Sequence, residues 1–218
     1  MDEMILWGAT GHAKVLRECM ADSGLRLVAL FDRNTSLTSP FGDVALVGDQ
    51  HSFESWLDDR GGPDSLGFLV AIGGDRGVDR IERQAYLEGH GLRPLVARHR
   101  TAFIADTAQI GPGSQVLAHA SVGVDATVGR ACIINTGAIV DHDCRLADGV
   151  HIAPGARLTG EVGVGTGSMI GAGAVVIPRV RIGSHALIGA GAVVIADVAD
   201  GTTVVGNPAK PLGDRHRE

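Results

Sequence analysis

The sequence predicts a Rossmann-like α/β domain over residues 1–97 and an all-β parallel β-helix over residues 98–218. Two observations carry this prediction. Aliphatic residues recur at every sixth position from Ile104 to Val194, a period that fits neither a helix nor an ordinary strand. Ahead of that repeat, short apolar runs alternate with segments of helical pattern, which is typical of a parallel sheet covered by helices.

The elements of the first domain follow from this alternation. The predicted strands cover residues 4–7, 26–32, 44–47, 66–74 and 93–96, and the predicted helices cover residues 13–23, 50–59 and 75–91. Parallel strands end at one edge of the sheet, and open α/β sheets bind their ligands at that carboxyl edge. The sequence therefore places a candidate ligand site beside the ends of the strands.

The turn that follows the first strand, GATGH at residues 8–12, is one part of this edge. Backbone N–H groups at the start of a helix favour a phosphate, but the turn is not a full G-x-G-x-x-G, and a tight βα turn without a ligand fits equally well. Asp32 ends the second strand, where an acidic residue can bind a ribose or sugar hydroxyl. The segment IGGD at residues 72–75 marks a third strand end on the same edge.

The second domain consists of sixteen consecutive hexads without an insertion, from Ile104 onward. We expect the first residue of each hexad to point into the axis of the β-helix, where each buried aliphatic side chain contributes roughly 1.5–3 kcal/mol. The fifth residue of each hexad is small or β-branched, and we expect it to turn the corner of the coil. Frequent glycine supplies the turn conformations that other residues resist.

Composition narrows the possible partners and the compartment. The net charge is −6 without a basic run, which argues against nucleic acid as a partner. The three cysteines are expected to be reduced and buried. No stretch reaches transmembrane length and no leader pattern is present, so we expect no membrane association and a cytoplasmic protein.

The strongest chemical feature of the repeat is Asp141-His142-Asp143, which occupies outward places of the hexad beginning at Val140. Val140 and Cys144 keep the inward places. An imidazole beside a carboxylate is a unit for general-base catalysis, because the carboxylate fixes the tautomer and raises the basicity of the ring. A solvated charged turn without a function is the alternative, and the cluster alone does not decide between them.

The chain as a whole resembles the hexapeptide-repeat acyltransferases with a left-handed β-helix. The G-A-x-G-H turn, the repeat and the late G-N-P-A-K segment at residues 206–210 are similar to one subgroup, the N-acetyltransferases of nucleotide-linked amino sugars such as GDP-perosamine or UDP-linked 4-amino sugars. The subgroup is related to sialic-acid O-acetyltransferase-like proteins. The resemblance implies three hexads per coil, acetyl-CoA as the co-substrate, no metal, and a homotrimer whose site is shared between subunits.

The resemblance also implies roles for individual residues. In the motif N-x-x-x-x-x-x-H-[DE], Asn135 is the first residue, His142 matches the catalytic base, and Asp143 matches the carboxylate behind it. Asp143 stands where the family often has glutamate. His151 matches a histidine that contacts acetyl-CoA, and Gly160 matches a glycine whose amide meets the thioester. The positions that match binders of the nucleotide-linked sugar are Thr10, Gly11, His12, Asp32, Arg33, Gly73 and Asn135.

The predicted reaction is acetyl transfer from acetyl-CoA to the amine of a nucleotide-linked amino sugar, most naturally a 4-amino-4,6-dideoxy sugar. The same residues serve an alternative reaction, O-acetylation of a sugar hydroxyl. A metal enzyme resembling the γ-type carbonic anhydrases shares the β-helix, but it requires two histidines spaced H-x-x-x-x-H, and His142 and His151 are nine residues apart. A structural solenoid would present a regular threonine face, whereas the exposed positions here are irregular.

Overall fold

A computed structural model of the chain describes residues 2–212. Residue 1 and residues 213–218, which end the predicted C-terminal tail, lie outside the described residues.

The first part of the chain is a five-stranded, fully parallel sheet flanked by helices. Its strands follow the spatial order β3-β2-β1-β4-β5. The order reverses between β1 and β4, and such a switch point opens a crevice at the carboxyl edge. The elements are β1 (Glu3–Trp7), α1 (Gly11–Cys19), β2 (Arg26–Phe31), β3 (Leu46–Gly48), α2 (Gln50–Asp59), β4 (Leu66–Val70), α3 (Gly77–Gly89) and β5 (Arg93–Pro94).

The predicted α/β architecture is confirmed, with shifts at the element ends. Helix α2 has the predicted bounds, and Asp49 begins it because its carboxylate accepts the N–H of Ser52 at 3.2 Å. Helix α1 begins two residues earlier and ends four residues earlier than predicted. The early end has a local cause, since the hydroxyl of Ser23 donates to the carbonyl of Met20 at 2.6 Å and closes a turn in place of another helical turn.

The second part is a solenoid of two-residue parallel strands. Successive strands fall on three sheets in rotation, and the pairing of Ser121 with Ile139 shows that one coil takes eighteen residues. The strands are β6 (Ala97–Arg98), β7 (Phe103–Ile104), β8 (Gln109–Ile110), β9 (Gln115–Val116), β10 (Ser121–Val122), β11 (Thr127–Val128), β12 (Ile133–Ile134), β13 (Ile139–Val140), β14 (Arg145–Leu146), β15 (His151–Ile152), β16 (Arg157–Leu158), β17 (Gly163–Val164), β18 (Met169–Ile170), β19 (Val175–Val176), β20 (Arg181–Ile182), β21 (Leu187–Ile188), β22 (Val193–Val194), β23 (Thr203–Val205) and β24 (Lys210–Pro211).

The three sheets form three faces of the solenoid: the docking face, the second face and the third face. The docking face contains β6, β9, β12, β15, β18, β21, β23 and β24; the second face contains β7, β10, β13, β16, β19 and β22; the third face contains β8, β11, β14, β17 and β20. Each of the sixteen predicted hexads begins at the last residue of one strand from β7 to β22. The first residues of the hexads pack into one apolar core, as predicted, and most of the fifth residues lie in the same core.

The corners of the coil are built differently from the prediction. The sequence assigned each corner to the small fifth residue, but that residue follows the corner and is buried in the core. The bend itself lies at the fourth residue, which has a positive φ at fourteen of the hexads, including those of His119 and His185. Half of these fourteen are glycine. The fifth residue, which is small or β-branched, therefore lies inside the coil immediately after the bend.

The α/β domain packs on the docking face. Ala97, Leu117 and Ile133 on that face share a buried cluster with Leu6 and Leu16 of the first domain. Helix α3 lies along the corner between the third face and the docking face. A Cβ atom at Gly77 of α3 would be 2.4 Å from the carbonyl oxygen of Gly149, so this helix approaches the backbone of the solenoid directly.

Candidate active site

A cleft of about 580 Å³ lies at the carboxyl edge of the parallel sheet. Thr10, Asp32, Arg33 and Gly73 line it, so four predicted sugar-binding residues surround one cavity. Gly8 also belongs to its wall, and glycine is required there, since its φ is +115° and a Cβ atom would lie 2.4 Å from the carbonyl oxygen of Ala71. The edge predicted from the strand ends is therefore an open cavity.

Asp32 connects the two loops that border the cleft. One of its carboxylate oxygens accepts the backbone N–H of Ala9 at 2.9 Å, and the other accepts the N–H of Asn34 at 2.9 Å. Each carboxylate oxygen can accept a further hydrogen bond. Asp32 thus shapes the site and retains acceptors for a hydroxyl.

Two other residues of the GATGH turn, Gly11 and His12, are not part of the cleft wall. Nε2 of His12 donates to Oε1 of Gln115 on the docking face at 2.7 Å, and Nε2 of Gln115 donates to the carbonyl of Val70 at 2.8 Å. Burial lowers the pKa of His12 below its ordinary value. His12 therefore links the turn to the β-helix.

His151 and Asn135 form a second contact between the domains. His151 is buried, and its Nδ1 donates to the carbonyl of Gly74 at 2.9 Å, while Nδ2 of Asn135 donates to its Nε2 at 3.1 Å. Burial lowers the pKa of His151 to about 4, so the ring is neutral at pH 7. Both ring nitrogens are thus hydrogen-bonded to groups of the same chain.

His142 and Asp143 lie at the corner between the second and third faces, and each side chain is about half exposed. Nδ1 of His142 donates to Oδ2 of Asp143 at 2.8 Å. This hydrogen bond raises the pKa of His142 above its ordinary value. Because Nδ1 carries the proton, Nε2 of the neutral ring is free to accept one.

Gly160 occupies the same place one coil further along and lies against the imidazole. A Cβ atom at Gly160 would be 2.4 Å from Nε2 of His142 and 2.5 Å from its Cε1. The N–H of Glu161 donates to the carbonyl of His142 at 2.9 Å, which fixes the spacing of the two coils. The predicted base and the predicted thioester-binding glycine are therefore direct neighbours.

A second recess, of about 520 Å³, opens beside Asp143 on the third face. Arg145, Arg179 and Arg181 line it, and Arg179 pairs with Glu161 at 3.0 Å. Three guanidinium groups thus face this recess next to the imidazole, together with the carboxylates of Asp143 and Glu161.

The structure does not bring all the predicted residues together within one chain. The cleft, His12, His151 and Asn135 lie on the side of the docking face. His142, Asp143 and Gly160 lie at the corner between the second and third faces, which in a three-sided coil is opposite the docking face. A single chain thus holds the two halves of the predicted site apart.

Sequence reasoning missed several residues near the cleft. Trp7 and Arg83 line it, with the Arg83 guanidinium 4.1 Å from the Trp7 ring centroid. Arg80 and Gln115 are buried polar residues at the domain interface. The position of Arg80 on the buried stripe of α3 was the one available signal, because a charged residue there needs partners.

Three further observations concern the part of the chain that the structure describes. Among residues 2–212, no group of three His, Cys, Asp or Glu side chains is placed to hold a metal ion. The cysteines Cys19, Cys132 and Cys144 are free and buried. Within the same range, no helix has the length and apolar character needed to cross a membrane.

The chain matches two families of known proteins. Residues 3–77 match the family described as PglD N-terminal domain, and residues 161–196 match the family described as bacterial transferase hexapeptide (six repeats). Among curated proteins, the chain is similar to the GDP-perosamine N-acetyltransferase of Escherichia coli O157:H7, with 35% identity over 95 residues. That match spans 44% of this chain and 42% of the length of the enzyme.

Solved structures show similarity over the whole chain. One is a perosamine N-acetyltransferase from Caulobacter crescentus in complex with CoA and GDP-perosamine, a mutant with one histidine replaced by asparagine; it has a TM-score of 0.90 and 34% identity, covering 98% of each chain. Another is the acetyltransferase domain of PglB from Neisseria gonorrhoeae FA1090 in complex with acetyl coenzyme A. Its TM-score is 0.86 with 34% identity, covering 97% of this chain and 99% of that one.

The fold and these similarities define the class as a β-helix acyltransferase. Because a relative with 34% identity is matched over 98% of its length, the chain belongs to the hexapeptide-repeat acyltransferases that carry a PglD-type N-terminal domain. The predicted family and the predicted fold, an α/β domain followed by a left-handed β-helix, are thereby confirmed.

Proposed function

We propose that this protein transfers the acetyl group of acetyl-CoA to the amine of a nucleotide-linked amino sugar. The observation that carries the proposal is the exposed His142–Asp143 pair, with Nδ1 bonded at 2.8 Å and Nε2 free. The substrate class is supported by the relative from Caulobacter crescentus, whose structure contains CoA and GDP-perosamine. A 4-amino-4,6-dideoxy sugar linked to a nucleotide is the acceptor that we favour.

In this proposal the cleft of the α/β domain holds the nucleotide-linked sugar. Thr10, Asp32, Arg33 and Gly73 line the cavity, and Gly11 begins α1, whose N-terminal N–H groups attract a phosphate. His12 and Asn135 complete the predicted set from the interface side. His12 shapes the turn through Gln115, and Asn135 is held by His151.

The proposed chemistry uses His142 as a general base. The neutral amine of the sugar attacks the thioester carbonyl of acetyl-CoA, and Nε2 of His142 accepts the proton that the nitrogen loses. A C–N bond forms, the C–S bond breaks, and the CoA sulfur leaves with the proton returned by the imidazolium. Asp143 orients the ring and stabilises its charged form. The amide of Gly160, beside the imidazole, is the group we assign to the developing oxyanion.

In this proposal acetyl-CoA binds next to His142, because the base acts on the amine that attacks the thioester. Its reactive carbon must lie within reach of the amine that Nε2 deprotonates, and Gly160 is the predicted residue that borders this point. The predicted contact of His151 with acetyl-CoA stays a prediction. In this subunit, its ring nitrogens hold Asn135 and the carbonyl of Gly74.

We further propose a homotrimer in which one subunit's cleft faces the His142 of its neighbour. The two halves of the site lie on opposite sides of one subunit, so an active site requires a second copy. Large apolar residues that suit such a contact are exposed on the second face and on the turns that follow its strands. Phe103 is 61% exposed and Ile195 is 52% exposed. The others are Val124, Ile139 and Ile177.

The test is a panel of UDP-, GDP- and dTDP-linked sugars, each offered as the 4-amino compound and as the matched 4-hydroxy compound with acetyl-CoA. We expect an N-acetylated product from one of the amines and little transfer to the hydroxyl partner, because a hydroxyl is a far weaker nucleophile. Preferred transfer to hydroxyls would establish an O-acetyltransferase instead. Failure with every amine at saturating acetyl-CoA would reject the proposal.

A further inference from the structure

We propose that Arg80 is a positioning residue of the sugar-nucleotide cleft, acting through the loop of residues 71–76 that it ties to the β-helix. The inference rests on the proposed function, because it concerns the cleft assigned to the nucleotide-linked sugar. Arg80 is not among the residues that line the cleft, whereas Ile72, Gly73 and Arg76 of the loop are. Its effect on a ligand is therefore indirect.

The guanidinium of Arg80 joins the two domains at one point. It is fully buried, and its Nε donates to the carbonyl of Ala131 at 2.9 Å while Nη2 donates to that of Gly149 at 2.7 Å. Nη1 faces the carbonyls of Ile72 at 3.3 Å and Gly74 at 3.4 Å. Two acceptors thus belong to corners of the solenoid and two belong to the cleft loop.

A buried guanidinium is expensive unless its donors are matched. Burial lowers the pKa of Arg80 to about 10, so the group is still charged at neutral pH. Its acceptors here are backbone carbonyls from both domains, and the planar fork presents its donors in a fixed geometry that fits them. The hydrogen bonds of Arg80 therefore fix the loop relative to the solenoid.

The loop needs an external constraint of this kind. It contains two adjacent glycines, and Gly74 has a φ of +70°, a conformation that glycine adopts freely but does not enforce. Nδ1 of His151 holds the same Gly74 carbonyl at 2.9 Å, so two side chains secure one peptide. A loop that is fixed before the ligand arrives loses less entropy when the ligand binds.

Gln84 provides a matched control for Arg80. It lies one turn further along the same buried face of α3, and its Nε2 donates to the carbonyl of Pro112 in the solenoid at 3.1 Å. Gln84→Met removes a buried contact between the domains without touching the loop. Arg80→Lys keeps the charge, but a single ammonium group cannot span the carbonyls of both domains. Arg80→Met removes the contact altogether.

The first measurement is steady-state kinetics of the intact protein with the sugar nucleotide that the wild type uses. We expect Arg80→Lys to raise the KM for that substrate by about tenfold or more, the scale of a small misplacement within a site, with kcat and the KM for acetyl-CoA nearly unchanged. Gln84→Met should leave all three values within about twofold of wild type. Equal KM values for Arg80→Lys and Gln84→Met would overturn the inference.

The second measurement is hydrogen–deuterium exchange without any ligand, which separates this inference from the proposed function. Peptides covering residues 71–76 should exchange faster in both Arg80 variants and at the wild-type rate in Gln84→Met. Unchanged exchange in Arg80→Lys would overturn the role of Arg80 even if the enzyme acetylates an amino sugar. Faster exchange would support that role even if the wild type used no sugar nucleotide, a result that rejects only the proposed function.

Discussion

Replacing Gly160 with alanine tests whether the imidazole of His142 depends on the bare backbone of the next coil. The new Cβ atom would lie 2.4 Å from Nε2 and 2.5 Å from Cε1 of His142. Ordinary contact requires about 3.5 Å, so the ring has to move by about 1 Å or rotate away. The φ of Gly160 lies outside the left-handed region, so alanine does not strain the chain itself.

The displacement sets the size of the expected effect. A shift of about 1 Å in a reacting group costs up to about 10²-fold in rate. We therefore expect Gly160→Ala to lower kcat by roughly one to two orders of magnitude. The melting temperature should stay close to that of wild type, because His142 is exposed and the ring can move into solvent.

A double-mutant cycle with His142→Ala identifies the cause of the loss. Removing the imidazole vacates the space that the new methyl group enters, so Gly160→Ala should have little further effect in that background. The assay is the initial rate of thiol release from acetyl-CoA at saturating amino sugar. If Gly160→Ala costs as much in the His142→Ala background as in wild type, the methyl acts on acetyl-CoA or on the oxyanion, and the steric argument fails.

The remaining predictions concern the base, its pH dependence, the interface and the assembly. His142→Ala should lower kcat by about 10²–10⁴ at an unchanged KM for acetyl-CoA; near wild-type turnover would remove His142 as the base. Asp143→Asn should lower kcat by less than His142→Ala does and should move the acid limb of the pH–rate profile to lower pH, because Asp143 raises the pKa of His142, which must be unprotonated to act as the base. An acid limb that does not move would mean that a group other than His142 is responsible for it. The pKa of His151 is about 4 in the folded protein against 6.5 in the unfolded chain, so its contribution to stability is complete above pH 6.5 and is lost as the pH falls towards 4, on the order of 3 kcal/mol. The free energy of unfolding of His151→Asn should therefore depend less on pH between 6.5 and 4 than that of wild type. An equal pH dependence in the two proteins would contradict the assignment. Light scattering should show a trimer that Ile139→Asp dissociates and inactivates; a fully active monomer would contradict the shared site.

The solenoid could be predicted almost strand by strand because its core repeats. Every coil buries the same two places of each hexad, and a single misplaced polar residue would interrupt the aliphatic series. The His142–Asp143 pair could also be predicted from the sequence, because the two residues are adjacent in the chain and their contact is local. Ile139 to Cys144 therefore contains both the inward ladder and the candidate chemistry.

The contacts between the domains could not be predicted in the same way. His12 and Gln115 are 103 residues apart and belong to separate patterns. The turn pattern around His12 predicts a phosphate site or a plain turn, and neither interpretation indicates a partner on the β-helix. The same holds for Arg80 and His151, because both donate hydrogen bonds to backbone carbonyl groups. Every residue has such a group, so the sequence does not indicate which one is the partner.

The residues at the corners of the coil follow a pattern that is visible at a period of eighteen residues but not at six. The fourth place of the hexad bends the coil, and every third hexad brings that place to the same corner, so the pattern should be read at eighteen residues as well as six. At the corner where α3 packs, four successive places hold only glycine or alanine, namely Gly113, Ala131, Gly149 and Gly167. At the corner beside the imidazole the places are charged, namely Asp125, Asp143, Glu161 and Arg179.

This difference has a physical cause at each corner. A helix that touches the solenoid backbone leaves no room for side chains, and Ala131 accepts a φ of +51° there in spite of its Cβ atom. An open corner accepts any residue that tolerates the left-handed region, and aspartate is one of the few that does so readily. The φ of +58° at Asp143 is part of the bend that follows His142, where its carboxylate meets Nδ1. The geometry that turns the coil thus also assembles the candidate base.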